Sequence, residues 1–71
     1  MSDYAPSPGA LVRQARRARG WTMEDAARAA GIGTRTLLRF EQGEAVRPTT
    51  VVKIARALDL PVAVLMPDAA A

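Results

Sequence analysis

The sequence contains no cysteine and no histidine. Without cysteine there is no disulfide, no thiolate metal site and no sulfur nucleophile. Without histidine, the commonest metal ligand and the commonest general base near neutral pH are missing. Only three aromatic residues occur, Tyr4, Trp21 and Phe40, and β-branched runs are nearly absent. The longest uncharged apolar stretch late in the chain, Leu60 to Met66, is far too short to span a bilayer. Met1 to Gly9 has no apolar core behind a basic leader, so no secretory signal is expected there. Seven scattered carboxylates remain, without a credible acid–base constellation. The expectation is a cytoplasmic protein with no catalysis, metal, cofactor or membrane partner.

What is present points to helix and to polyanions. The 71 residues suffice for one small domain, which buries only about 60% of the surface of its unfolded chain. The hydrophobic share is 49%, but fifteen of those residues are Ala. Alanine packs helices closely and buries little area, so roughly a dozen larger side chains must do most of the holding. Ala and Arg are both strong helix formers. Ten basic against seven acidic residues give a net charge of +3, and nine of the ten are Arg, which forks onto phosphate and guanine where Lys offers a point charge. The sequence pI of about 10.6 is the electrostatic footprint of a nucleic-acid binder, although a solvated basic surface would give the same value.

Helix signals recur along the chain. Residues 1–7 read as a flexible tail. Ser7 followed by Pro8 is a helix start, and Val12, Ala15, Arg16 and Arg19 fall at i, i+3, i+4, i+7. The first helix is thus expected over Pro8–Arg19, stopping at Gly20. Thr22 to Asp25 resembles a capping box, with Asp in place of Glu. The next stripe is Met23, Ala26, Ala27 and Ala30, ended by Gly31. A three-residue turn, Gly31-Ile32-Gly33, carries an apolar plug. A third helix is expected from Thr34 to about Gln42, with Leu37 and Phe40 inward and Gly43 at its end. Thr49 can cap a fourth helix with the stripe Val51, Ile54, Ala55 and Leu58. Pro61 can open a short fifth through Met66, and Pro67 ends the structure. The domain is expected over 8–67, with a frayed tail at 68–71. The fold class is therefore all-α, a compact bundle of five short helices.

Residues 22–42 are the informative unit: helix, three-residue turn with Gly, helix. Ala26, Ala27 and Ala30 let two helices cross closely, and Gly31 permits the sharp bend between them. The outer face of the second helix is then free to enter a DNA major groove. That face carries Thr34, Arg35, Leu38, Arg39 and Gln42, with no acid among them, where an ordinary solvated face would mix signs.

At these residues the chain resembles the Xre/Cro-like, or lambda-repressor-like, helix-turn-helix DNA-binding domains. The resemblance covers about Gly9 to Met66. It rests on Arg16 with Arg19-Gly20-Trp21-Thr22, on Ala26-Ala27, on Gly31-Ile32, on Phe40-Glu41-Gln42-Gly43, and on Arg47-Pro48 followed by Ile54-Ala55-Arg56-Ala57-Leu58. Each element alone is weak; their joint spacing is specific.

The resemblance implies roles by position. Thr34, Arg35, Leu38 and Arg39 stand where base edges are met in the major groove. Each Arg could fork onto guanine O6 and N7, and Leu38 could meet a thymine methyl or be a plain surface leucine. Thr22 at the start of the second helix, with Gln42, Arg47 and Thr49, stands where phosphate is gripped, which sets register without reading sequence. Arg16 and Glu41 are expected to pair between the first and third helices, explaining a charge on an inward stripe. Arg13 and Arg17 add long-range attraction at most. Three positions depart from the family pattern. Met23 replaces a Gln that often contacts phosphate, Gly33 replaces a Ser or Thr cap, and Glu44 lies in a loop that is often basic.

One reading helix covers too few base pairs for specificity against a genome, and family members commonly bind as two-fold dimers on half-sites one DNA turn apart. Val62, Val64 and Met66 are the candidate dimer interface, with Leu65 in the core. The expected function is a sequence-specific double-stranded DNA-binding transcriptional regulator, a small bacterial repressor or controller associated with the nucleoid. It would act as a homodimer, in solution or only once on a palindromic operator. The alternative is a protein-interaction module of the same fold, an antitoxin-like partner or adaptor with a protein partner of its own.

Overall fold

The structure is a computed structural model and describes residues 6–66. Its elements are five helices: α1 Pro8–Ala18, α2 Met23–Ala30, α3 Thr34–Glu41, α4 Pro48–Ala57 and α5 Val62–Leu65. No strand occurs among the described residues. This is the all-α architecture that the sequence pattern implies. Residues 1–5 and the expected stop at Pro67 with its tail lie outside the described residues.

Local chemistry sets most helix ends. The Ser7 side chain accepts a hydrogen bond from the Ala10 N–H at 3.2 Å, and Pro8 follows in the first turn. Thr22 Oγ1 accepts from the Asp25 N–H at 3.0 Å, while Asp25 Oδ2 accepts from the Thr22 N–H at 2.9 Å. This completes the reciprocal box with an Asp at its third position. At Gly33 no side chain caps α3. Gly31 has φ 71°, a left-handed conformation that a side chain disfavours. It lets the Ile32 N–H return to the Ala27 carbonyl at 3.0 Å and turns the chain from α2 into α3. Helix α4 ends in the same pattern on Asp59, whose φ is 57°. The Leu60 N–H there reaches the Ala55 carbonyl at 2.8 Å. Asp is among the few residues that enter this region readily.

Some boundaries differ from the sequence expectation. α1 stops at Ala18 with Arg19 as its cap, and α3 stops at Glu41 with Gln42 as its cap. The start of α4 is Pro48 behind an extended Arg47, so Thr49 is inside the first turn and is not the cap. The physical reason is proline's fixed φ, which suits the first helical position and outweighs a hydroxyl cap at the next residue.

The core forms where the stripes converge. Val12, Leu37 and Ile54 are the largest side chains sealed from solvent. Ala26 and Ala27 of α2, Phe40 of α3, Val51 and Ala55 of α4, and Leu58 at its cap surround them, and Leu65 closes one end. Helix α1 packs on α3 and α5, α2 lies against both α3 and α4, and α5 rests on α4. The buried alanines of α2 bring α3 close, so the inner side of α3 is gripped while its outer side is left free.

Candidate nucleic-acid interface

Helix α3 has two unlike faces. Leu37 and Phe40 are buried, with Glu41 beside them. Thr34, Arg35, Leu38, Arg39 and Gln42 are all exposed. These five side chains line one side of an open cleft of about 740 Å³. The start of α2 forms the other side through Thr22, Met23 and Glu24, and Glu44 borders it from the loop after α3. The cleft therefore gathers Thr34, Arg35, Leu38 and Arg39 in one place, together with Thr22 and Gln42. A hydroxyl can donate while it accepts, so the capping role of Thr22 leaves its proton available to an oxygen outside.

A smaller hollow of about 310 Å³ lies between α3 and α4. Arg39 and Arg47 line it with Thr36 and Thr50. Thr49 does not reach it. Arg39 borders both concavities and so links the outer face of α3 to the start of α4.

The position of α3 is held by charge as well as by apolar packing. Arg16 Nε donates to Glu41 Oε2 at 2.8 Å, and Arg16 Nη2 donates to Glu41 Oε1 at 3.0 Å. The two side chains are only 12% and 3% exposed, and the parallel two-point geometry adds direction to attraction. Arg16 Nη1 also donates to the Trp21 carbonyl at 3.2 Å. The hydrogen bond to Glu41 is the main reason that the guanidinium pKa lies above its ordinary value; burial opposes the rise. Arg13 stands 3.9 Å from the same carboxylate but is largely solvated. Among the described residues, no buried side-chain polar atom is left without a partner.

A family model described as helix-turn-helix matches residues 12–65, from within α1 to the end of α5. The chain belongs to the Xre/lambda-repressor-like helix-turn-helix family. It is thus a DNA-binding helix-turn-helix domain, with α2 and α3 as the two helices of the motif. No curated protein sequence matches the chain. The family is one of DNA-binding rather than enzymatic domains. Among the described residues no group of His, Cys, Asp or Glu is arranged to hold a metal, and no helix is long and apolar enough to cross a membrane.

The contributions of Glu24, Thr36, Thr50 and Arg19 are not apparent from the sequence pattern. Glu24 and Glu44 border the cleft, so the acid-free face of α3 looks across at carboxylates. Thr36 and Thr50 line the smaller hollow. Glu24 follows the cap Thr22 by two residues, a spacing that turns it toward α3 only once the crossing of α2 and α3 is known. Arg19 lies on an inward stripe by spacing but is exposed; its guanidinium lies 5.1 Å from the Trp21 ring centroid, and Nη2 donates to the Leu58 carbonyl at 3.2 Å. It joins the end of α1 to the end of α4, so it is part of the scaffold. On α5 and at its cap Met66, Leu65 is buried, Val64 is 42% exposed, and Val62 and Met66 are half-buried against the core.

Proposed function

We propose that this domain is a sequence-specific regulator of transcription that reads the major groove of double-stranded DNA with α3 and acts as a repressor or controller by occupying a promoter. The observation that carries the reading is the exposed, acid-free outer face of α3, with Arg35 and Arg39 one helical turn apart. Each guanidinium can fork onto guanine O6 and N7. Thr34 and Leu38 complete the base-reading set. Thr22, Gln42, Arg47 and Thr49 are the proposed phosphate contacts. Thr22 in the cleft on one side of α3 and Arg47 in the hollow on the other support a grip on the two walls of one groove.

The regulator is proposed to work as a two-fold homodimer on a palindromic operator. One α3 spans a few base pairs, and doubling the site multiplies the discrimination. Val62, Val64 and Met66 are the proposed contact; the exposure of Val64 beside two half-buried apolar neighbours supports it. A second reading, a protein-interaction module, draws support from Glu24 and Glu44 on the cleft margin, since carboxylates near phosphate repel. Against it, the cleft offers only Met23 and Leu38 as large apolar side chains, where the core of a protein interface is richer in apolar area.

Selection of bound sites from a random duplex pool tests the reading. The expected result is an inverted repeat with half-site centres about 34 Å apart along the helix axis. Recovery of no preferred sequence would refute it.

A further inference from the structure

Leu38 is the anomaly of the reading face. It is 42% exposed, and the only other large apolar side chain this open among the described residues is Val64. It sits between two cations, one turn after Arg35 and next to Arg39. Across the cleft stands Met23, half-buried and packed against the core. Neither side chain can donate to phosphate or to a polar base edge. What such a pair can gain from a groove is the removal of water from an apolar surface. Along the major-groove edge of the four base pairs, one apolar group is offered, the 5-methyl of thymine.

We propose that Leu38, backed by Met23, is a thymine-methyl reader, so that the operator places a thymine beside a guanine read by Arg35 or Arg39. This rests on α3 being the groove-reading helix, and it adds which base the apolar position selects. Charge complementarity commits the cleft to DNA as occupant. The two guanidiniums on either side of Leu38 match an anionic groove lined by guanine acceptors.

The test uses the full chain and the duplex recovered from a random pool. Each thymine of that duplex is replaced in turn by uracil, which removes the methyl and keeps the base-pairing edge. In the wild type, one thymine per half-site should lose about fourfold in affinity on this change, the value of one methyl-sized group taken out of water. In Leu38→Ala the thymine and uracil duplexes should bind alike, with an unchanged helical spectrum, since Leu38 is outside the core. Wild-type binding indifferent to uracil at every position, a selected site without thymine, or Leu38→Ala retaining the difference would each overturn the inference while leaving the regulator reading intact. A pool that returns no preferred duplex overturns both.

Discussion

Gly9 of α1 lies against the backbone of Phe40 so closely that a methyl group on it would stand 2.5 Å from the Phe40 carbonyl oxygen and 2.6 Å from that of Glu41. Atoms do not approach this closely, and the obstacle is helix backbone, which has no rotamer to change. The first helix is therefore seated on the end of the reading helix through a missing side chain. Gly9→Ala should destabilise the fold by about 1–2 kcal/mol, because overpacking outweighs the better helix propensity of Ala. Thermal melting should fall by at least about 4 °C. An unchanged or higher Tm would mean that α1 can shift away at no cost.

The Arg16–Glu41 pair fixes the same junction by charge. Glu41→Gln leaves a guanidinium that is only 12% exposed without its anion. Breaking one side of such a pair should cost roughly 2–4 kcal/mol, slightly below the fully buried case. Replacing both residues, as Arg16→Met with Glu41→Leu, should cost less than the sum of the two single changes. Urea denaturation of the four proteins measures the coupling. Additive losses would show that the two charges stand independently.

Acid should weaken the start of α2. The Thr22 backbone N–H bonded to the Asp25 carboxylate, helped by the Thr22 hydroxyl, lowers the Asp25 pKa below its ordinary value. A folded pKa below the unfolded one means that the folded chain holds the proton less tightly, so this contribution is complete above the unfolded value of about 3.9. It is lost as pH falls through the lower, folded value. Asp25→Asn should therefore flatten the acid limb of Tm against pH relative to wild type and leave a difference that is constant above about pH 5. Parallel curves throughout would remove Asp25 from the cap.

Arg35 and Arg47 should fail in different ways on DNA. Arg35→Ala should lose about 1–3 kcal/mol of discrimination at one base position, read from competition between single-substituted duplexes. Arg47→Ala should weaken all duplexes about equally and lower the slope of log affinity against log salt by about 1. If Arg35→Ala kept the full base preference, the reading face would have to be assigned elsewhere.

Much of the architecture is written in short-range chemistry. Helix starts at Ser7-Pro8 and at the Thr22–Asp25 box, the left-handed turn at Gly31, and the inward stripes of α2 and α4 all follow from residues within about one or two turns of each other. Such interactions act in any chain segment, so their spacing can be read without coordinates. The split of α3 into buried Leu37 and Phe40 and exposed Thr34, Arg35, Leu38 and Arg39 is of the same kind, since helical periodicity alone separates the faces. The start of α4 shows where two local signals compete, and Pro48 prevails over Thr49 because its backbone is already set.

Tertiary structure decided what meets what. Gly9 is an unremarkable helical residue until α3 passes beneath it. The exposed Arg19 becomes a tie between helix ends because Leu58, thirty-nine positions later, presents a bare carbonyl within reach. Glu24 comes to line one cleft with Arg35 and Arg39 only through the crossing of α2 with α3. Pattern in a sequence reports on neighbours along the helix, whereas contact across helices depends on angle and depth of packing, and these are set by the sum of many buried side chains rather than by any one spacing.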